Sequence, residues 1–123
     1  MGKIWQDIEI IGSRKNKIVT ALFDSGAYFN YIRSENIYDK ETPDDIGFHI
    51  FEGTKESITA NGKFVSVDWI RFKRLRINQL VINEPRFLIM KNLTWDAIIG
   101  AELMQQCGIK LDLPRETILI RDK

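Results

Sequence analysis

The sequence predicts a mostly β protein. Three observations point there: the dominant hydrophobic period is two, β-branched and aromatic residues gather in short runs, and turn residues separate those runs. With 123 residues, 44% of them hydrophobic and 28% charged, the chain has the size and make-up of one domain spanning residues 1–123.

Taken in order, residues 3–11 form a strand that ends at the polar turn Gly12-Ser13-Arg14-Lys15-Asn16, and residues 17–23 resume as an apolar strand, giving a hairpin. The tight segment Asp24-Ser25-Gly26-Ala27 follows, then a short apolar stretch through Ile32. Residues 33–47, rich in Asp, Ser, Pro and Gly, read as a loop holding one helical turn. From Phe48 to Met90 the chain reads as strands, with a long hairpin centred on Asn61-Gly62, a dipeptide that favours a two-residue type I′ turn. Asn83-Glu84-Pro85 marks a further turn. Residues 95–99 form a short strand, and 101–107 are good helix formers stopped by Gly108, which suits the left-handed position after a helix. Strands at 109–113 and 117–121 close the chain.

Composition excludes several functions. Lys and Arg number 18 against 17 Asp and Glu, a net charge of +1, so nothing calls for nucleic acid or an anionic membrane. The one cysteine, Cys107, rules out an intrachain disulfide framework and fits a reducing compartment. No run of 18 apolar residues occurs, and the first residues lack a signal-peptide core, so a cytoplasmic protein is expected. Met1-Gly2 is not a myristoylation signal, because Gln6 stands where Ser or Thr is required.

Chemistry is concentrated in Ala21-Leu22-Phe23-Asp24-Ser25-Gly26-Ala27, where an acid follows an apolar strand and opens a turn of small residues. A carboxylate at the end of a buried strand needs nearby amides or a partner charge to offset its desolvation. Taken alone, the same tripeptide is equally a solvated turn. A second segment, Trp95-Asp96-Ala97-Ile98-Ile99-Gly100-Ala101-Glu102-Leu103, is an apolar strand ending in Gly and running straight into a helix.

Together these motifs resemble the retropepsin family, the single-lobe aspartic proteases of retroviruses and their cellular relatives: two hydrophobic residues then Asp-Ser/Thr-Gly-Ala, a Gly-containing hairpin, and two hydrophobic residues then Gly before a helix. The likeness runs from about Ile4 to Ile120, and Cys107 to Leu113 is similar to the ubiquitin-associated cellular members. It implies an acid-protease closed β fold with one short C-terminal helix, and peptide hydrolysis without metal or organic cofactor. By the same resemblance, Asp24 is the catalytic acid, Ser25 the hydroxyl that bonds across a dimer, and Gly26 part of the close-packed turn. Ala27 and Tyr28 fall in the substrate strand, Ala60, Asn61, Gly62 and Lys63 in a flap over bound peptide, and Ile98, Ile99 and Gly100 in an apolar loop beneath the acid.

Acid chemistry agrees with the comparison. Two carboxyls about 3 Å apart cannot both ionise and so share a proton, one form activating water and the other polarising the carbonyl. The chain holds one Asp-Ser/Thr-Gly and no second copy, so an active enzyme must be a homodimer with one Asp24 from each chain. Three departures stand out. Tyr28 replaces the small hydroxyl or acidic residue that is more usual, Ala101 and Glu102 replace the Arg and acid or amide of viral members, and Gly62 is the lone flap-tip glycine. Tyr28 and the modest flap favour a rival reading, a dimeric peptide-binding module of the same fold with weak or no hydrolysis.

Other residues have simpler readings. His49, the lone histidine, has no partners at metal-ligand spacing and reads as a surface strand residue. The basic run Arg71, Lys73, Arg74 and Arg76 splits between strand faces and reads as solvated surface, not a nucleic-acid stripe. Leu103, Met104 and Cys107 form the core face of the helix, and Trp5, Trp69 and Trp95 are core or interface anchors.

Overall fold

The computed structural model describes residues 2–35, 41–58, 62 and 64–121. In chain order its elements are β1 (Lys3–Ile11), β2 (Asn16–Asp24), β3 (Tyr31–Arg33), α1 (Pro43–Ile46), β4 (His49–Ile58), β5 (Phe64–Arg71), β6 (Arg74–Ile77), β7 (Leu80–Asn83), β8 (Arg86–Met90), β9 (Ala97–Ile99), α2 (Ala101–Cys107), β10 (Ile109–Asp112) and β11 (Thr117–Ile120). The all-β class is as the period-two pattern predicts.

Nine strands make one sheet in the order β4-β5-β8-β3-β9-β2-β1-β6-β7, and β10 and β11 pair separately. Most neighbours are antiparallel; β2 with β9 and β3 with β8 are parallel. The core forms where alternate residues of these strands meet: Ile4, Ile8 and Ile10 from β1, Val19, Ala21 and Phe23 from β2, and Ala97 and Ile99 from β9. Period two therefore assigns Leu22 and Asp24 to the opposite face of β2. Across the β1–β2 register, Trp5 stands opposite Leu22 and Lys3 opposite Asp24.

α2 buries Leu103 and Met104 and rests half-buried Cys107 against the core. It stops at Gly108, whose φ of 67° is the left-handed conformation a glycine adopts at little cost. α1 is a single turn with a capping box, in which Thr42 and Asp45 each bond the other's backbone N–H.

The basic run does not lie on one strand. β5 ends at Arg71, Phe72 is fully buried between Phe48 and Phe87, Lys73 turns the corner and β6 begins at Arg74. Its charges serve local structure: Arg71 donates to the Glu84 carbonyl, and Arg76 lies 3.7 Å from Glu9. His49 is exposed at the start of β4. Trp69 is buried, whereas Trp5 and Trp95 are largely exposed and meet edge-to-face at 5.3 Å.

The β4–β5 hairpin pairs Ile58 with Phe64, which leaves residues 59–63 to connect them. The two-residue turn expected at Asn61-Gly62 falls largely outside the described residues. Gly62 has φ 81°. Ala60, Asn61 and Lys63, expected in the flap, lie outside the described residues.

Candidate active site

Asp24 is the last residue of β2 and is partly exposed. Its Oδ1 accepts a 2.8 Å hydrogen bond from the Gly26 N–H, and its carbonyl accepts one from the Ala27 N–H at 3.1 Å. This is the local turn expected of an Asp followed by small residues, and it gives the carboxylate one of the amide donors that its position demands. The next residue is tied to the start of the chain. The Ser25 N–H donates to the Gly2 carbonyl at 3.2 Å, and the Gly2 N–H donates to Ser25 Oγ at 3.0 Å.

The second motif comes to the same place through β9. Leu22 pairs with Ile98 and Phe23 with Ile99 in parallel register, so the strand carrying the acid and the strand ending in Gly100 finish side by side. Just beyond them, the Ala101 N–H donates to the Ala27 carbonyl at 2.7 Å and the Glu102 N–H to the Tyr28 carbonyl at 3.0 Å. Ile99 is buried in the core, while half-buried Ile98 shares the face of Leu22 and Asp24. Gly100 is required here, because any side-chain carbon would collide with the Phe29 and Tyr28 carbonyl groups.

A residue that sequence reasoning missed fastens the assembly. Asn30 is the one buried polar residue among the described residues, 8% exposed. Its Oδ1 accepts from the Gly100 N–H at 3.0 Å, its Nδ2 donates to the Arg86 carbonyl at 3.1 Å, and its own carbonyl accepts from the Leu88 N–H at 2.9 Å. One amide thus joins the chain after the acid turn to β8 and to the end of β9. The available signal was a polar residue inside an otherwise apolar stretch.

Asp24, Ser25, Gly26, Ala27 and Tyr28 are therefore brought together with Ile98, Ile99 and Gly100. Among the described residues, no hydrogen bond or strand pairing joins Gly62 to them. Tyr28 is 56% exposed and packs edge-to-face on Phe29 at 4.9 Å. A groove of about 480 Å³ runs from Gly2 and Ser25 past Ala101 and Met104 to Leu111 and Leu113. Among the described residues no three metal-ligating side chains cluster, and no helix is long and apolar enough to cross a membrane.

A partly exposed acid on a glycine turn is thus backed by a strand of two hydrophobic residues ending in Gly. The chain belongs to the aspartyl protease family, whose model matches residues 10–103. No curated protein sequence matches it. Among solved structures it is similar to the retroviral protease-like domain of Ddi1 from Leishmania major, with TM-score 0.65 and 15% identity over 100% of this chain and 91% of that one. It is also similar to a retropepsin-like aspartic protease from Rickettsia conorii, with TM-score 0.59 and 15% identity over 97% of this chain and 79% of that one. Both are proteins of cellular organisms, in line with the resemblance to cellular members, and they establish the retropepsin-like fold.

Proposed function

We propose that the protein is an aspartic endopeptidase that works as a homodimer, each chain contributing Asp24 to a shared dyad. The observation that carries this reading is the carboxylate itself, held on the face of β2 away from the core by the Gly26 N–H, with Gly100 backed against the backbone of Tyr28 and Phe29. One such acid gives no general acid–base pair; a two-fold axis supplies the second. The dyad deprotonates water for direct attack on the peptide carbonyl, with no acyl-enzyme, and Ser25 steadies its geometry. The hairpin around Gly62 closes over the peptide and excludes bulk water. Ala27 and Tyr28 line the bound peptide. The groove beginning at Ser25 supports a dimer, because its largely apolar lining, which includes the exposed Leu113, is a surface that a second chain would cover. The whole chain acts as one domain in the cytoplasm, needs no cofactor and acts on peptide or protein, not nucleic acid or membrane.

The exposed Tyr28 ring, standing where the family more often has a small polar side chain, favours a second reading: a dimer that grips peptide without cutting it. Digestion of a peptide library from acidic to neutral pH, wild type beside Asp24→Asn, separates the two. The endopeptidase cleaves and the variant loses on the order of 10³-fold in rate. Cleavage that survives the substitution, or a confirmed dimer that cleaves nothing, removes the enzyme reading.

A further inference from the structure

Behind the segment proposed to hold peptide, the side chains close into a ring. Tyr28 packs edge-to-face on Phe29 at 4.9 Å, and Phe29 packs edge-to-face on buried Trp69 at the same separation. The Arg86 guanidinium carbon lies 4.0 Å from the centre of the Trp69 ring. Arg86 also reaches Glu102 at 3.5 Å, and the Glu102 N–H returns to the Tyr28 carbonyl at 3.0 Å. The Arg86 carbonyl, in turn, accepts from Asn30. Arg86 is thus linked to residues 28–30 by three routes: through Trp69 to Phe29, through Glu102 to the Tyr28 carbonyl, and by its own carbonyl to Asn30.

We propose that Arg86 is a positioning residue for the peptide-binding segment at Ala27 and Tyr28, setting affinity for peptide and not the rate of the chemical step; the proposal rests on the aspartic-protease reading above. The separation follows from what holds the acid. Asp24 is fixed by Gly26, Ser25 by Gly2, and Ala27 by the Ala101 N–H, and none of these bonds involves Arg86. An exposed ion pair contributes little alone. Here the guanidinium also lies over an aromatic face, a contact that lysine's compact ammonium does not reproduce in full. Loss of Arg86 frees Trp69, Phe29 and Tyr28 to repack while the acid turn stays in place, so a bound peptide meets a less ordered edge.

The test compares wild type, Arg86→Ala and Arg86→Lys on peptides that the wild type cleaves from the library, with thermal melting to confirm folding. Arg86→Ala is expected to raise KM about tenfold with kcat within about twofold, and Arg86→Lys to raise KM about threefold. In an Asp24→Asn background, binding of the same peptides weakens by matching factors. Unchanged KM in folded Arg86→Ala, or a loss carried by kcat at constant KM, overturns the proposal. If Arg86→Ala does not fold, Arg86→Lys decides: a raised KM upholds the role, and a wild-type KM overturns it. A wild type that cleaves nothing refutes the protease reading separately. Arg86 is then judged on affinity for the immobilised library, where weaker binding by Arg86→Lys upholds the role, and equal binding or none in either protein overturns it.

Discussion

The carbonyl oxygen of Tyr28 stands 2.6 Å from the position a Cβ would take at Gly100, so the chain leaving the acid turn and the chain entering α2 touch backbone to backbone. Gly100→Ala must push them apart. Because the obstacle is main chain, it cannot rotate away as a side chain would. A loss of about 3 kcal/mol or more is expected, read as a fall in the urea midpoint at unchanged slope, with activity lost before the fold is.

Asn30 predicts a graded series. Asn30→Ala leaves the Gly100 N–H and the Arg86 carbonyl buried without their side-chain partner, a cost of about 1–3 kcal/mol in chemical denaturation. Asn30→Asp keeps the acceptor for Gly100 but sets a carboxylate oxygen against the Arg86 carbonyl. That variant is expected to recover stability on acidification, as protonation restores a donor, and the opposite pH trend would show that the amide bridge is not what holds the segment.

Three carboxyls are held below their usual range. The Asn92 N–H and then Ser34 lower Glu35, bonds from Lys17 and then Lys15 lower Glu41, and the Thr42 N–H and hydroxyl lower Asp45. Each binds its proton less readily in the fold than in the unfolded chain, so its contribution is complete above the ordinary carboxylate range and disappears as pH falls through the lowered values. Urea midpoints should hold from neutral pH to about 5 and drop below it, and Glu35→Gln should flatten part of that drop. Tyr31 works at the other end. Burial raises its pKa and favours the neutral phenol, so stability present below about pH 10 is lost as pH rises further. The acid limb of any bell-shaped rate profile must therefore be measured beside an unfolding curve at the same pH.

Phe72→Ala should cost about 3–5 kcal/mol, since the ring is fully buried between Phe48 and Phe87, at centroid distances of 6.2 and 5.6 Å. Arg71→Ala and Arg74→Ala, at the strand ends on either side, should each cost far less. A denaturation series of the three tests whether this corner is core or surface.

The features legible in the sequence were those written in local chemistry. β1 and β2 follow from alternation around a Gly-Ser-Arg-Lys-Asn turn, and α2 from helix formers stopped by Gly108. The acid turn and the Ile98-Ile99-Gly100 segment were legible as motifs. What failed was the corner at Phe72-Lys73, because neither residue is a turn former and burial of one ring decides the bend. The β6–β7 hairpin also escaped notice, turning at Asn78 with φ 54°. Asn30 was silent because its worth lies in Arg86 and Gly100, residues far along the chain. Glu102, a departure from the viral pattern in the sequence, acquires a partner in Arg86 only once β8 and α2 are neighbours.

The parallel pairing of β2 with β9 has a bearing on synthesis. Ribosomes deliver Asp24 well before the strand that braces it and the amides of Ala101 and Glu102. A nascent chain carries the acid without its support. The acid turn can reach its folded form only once β9 has been synthesised and has docked beside β2.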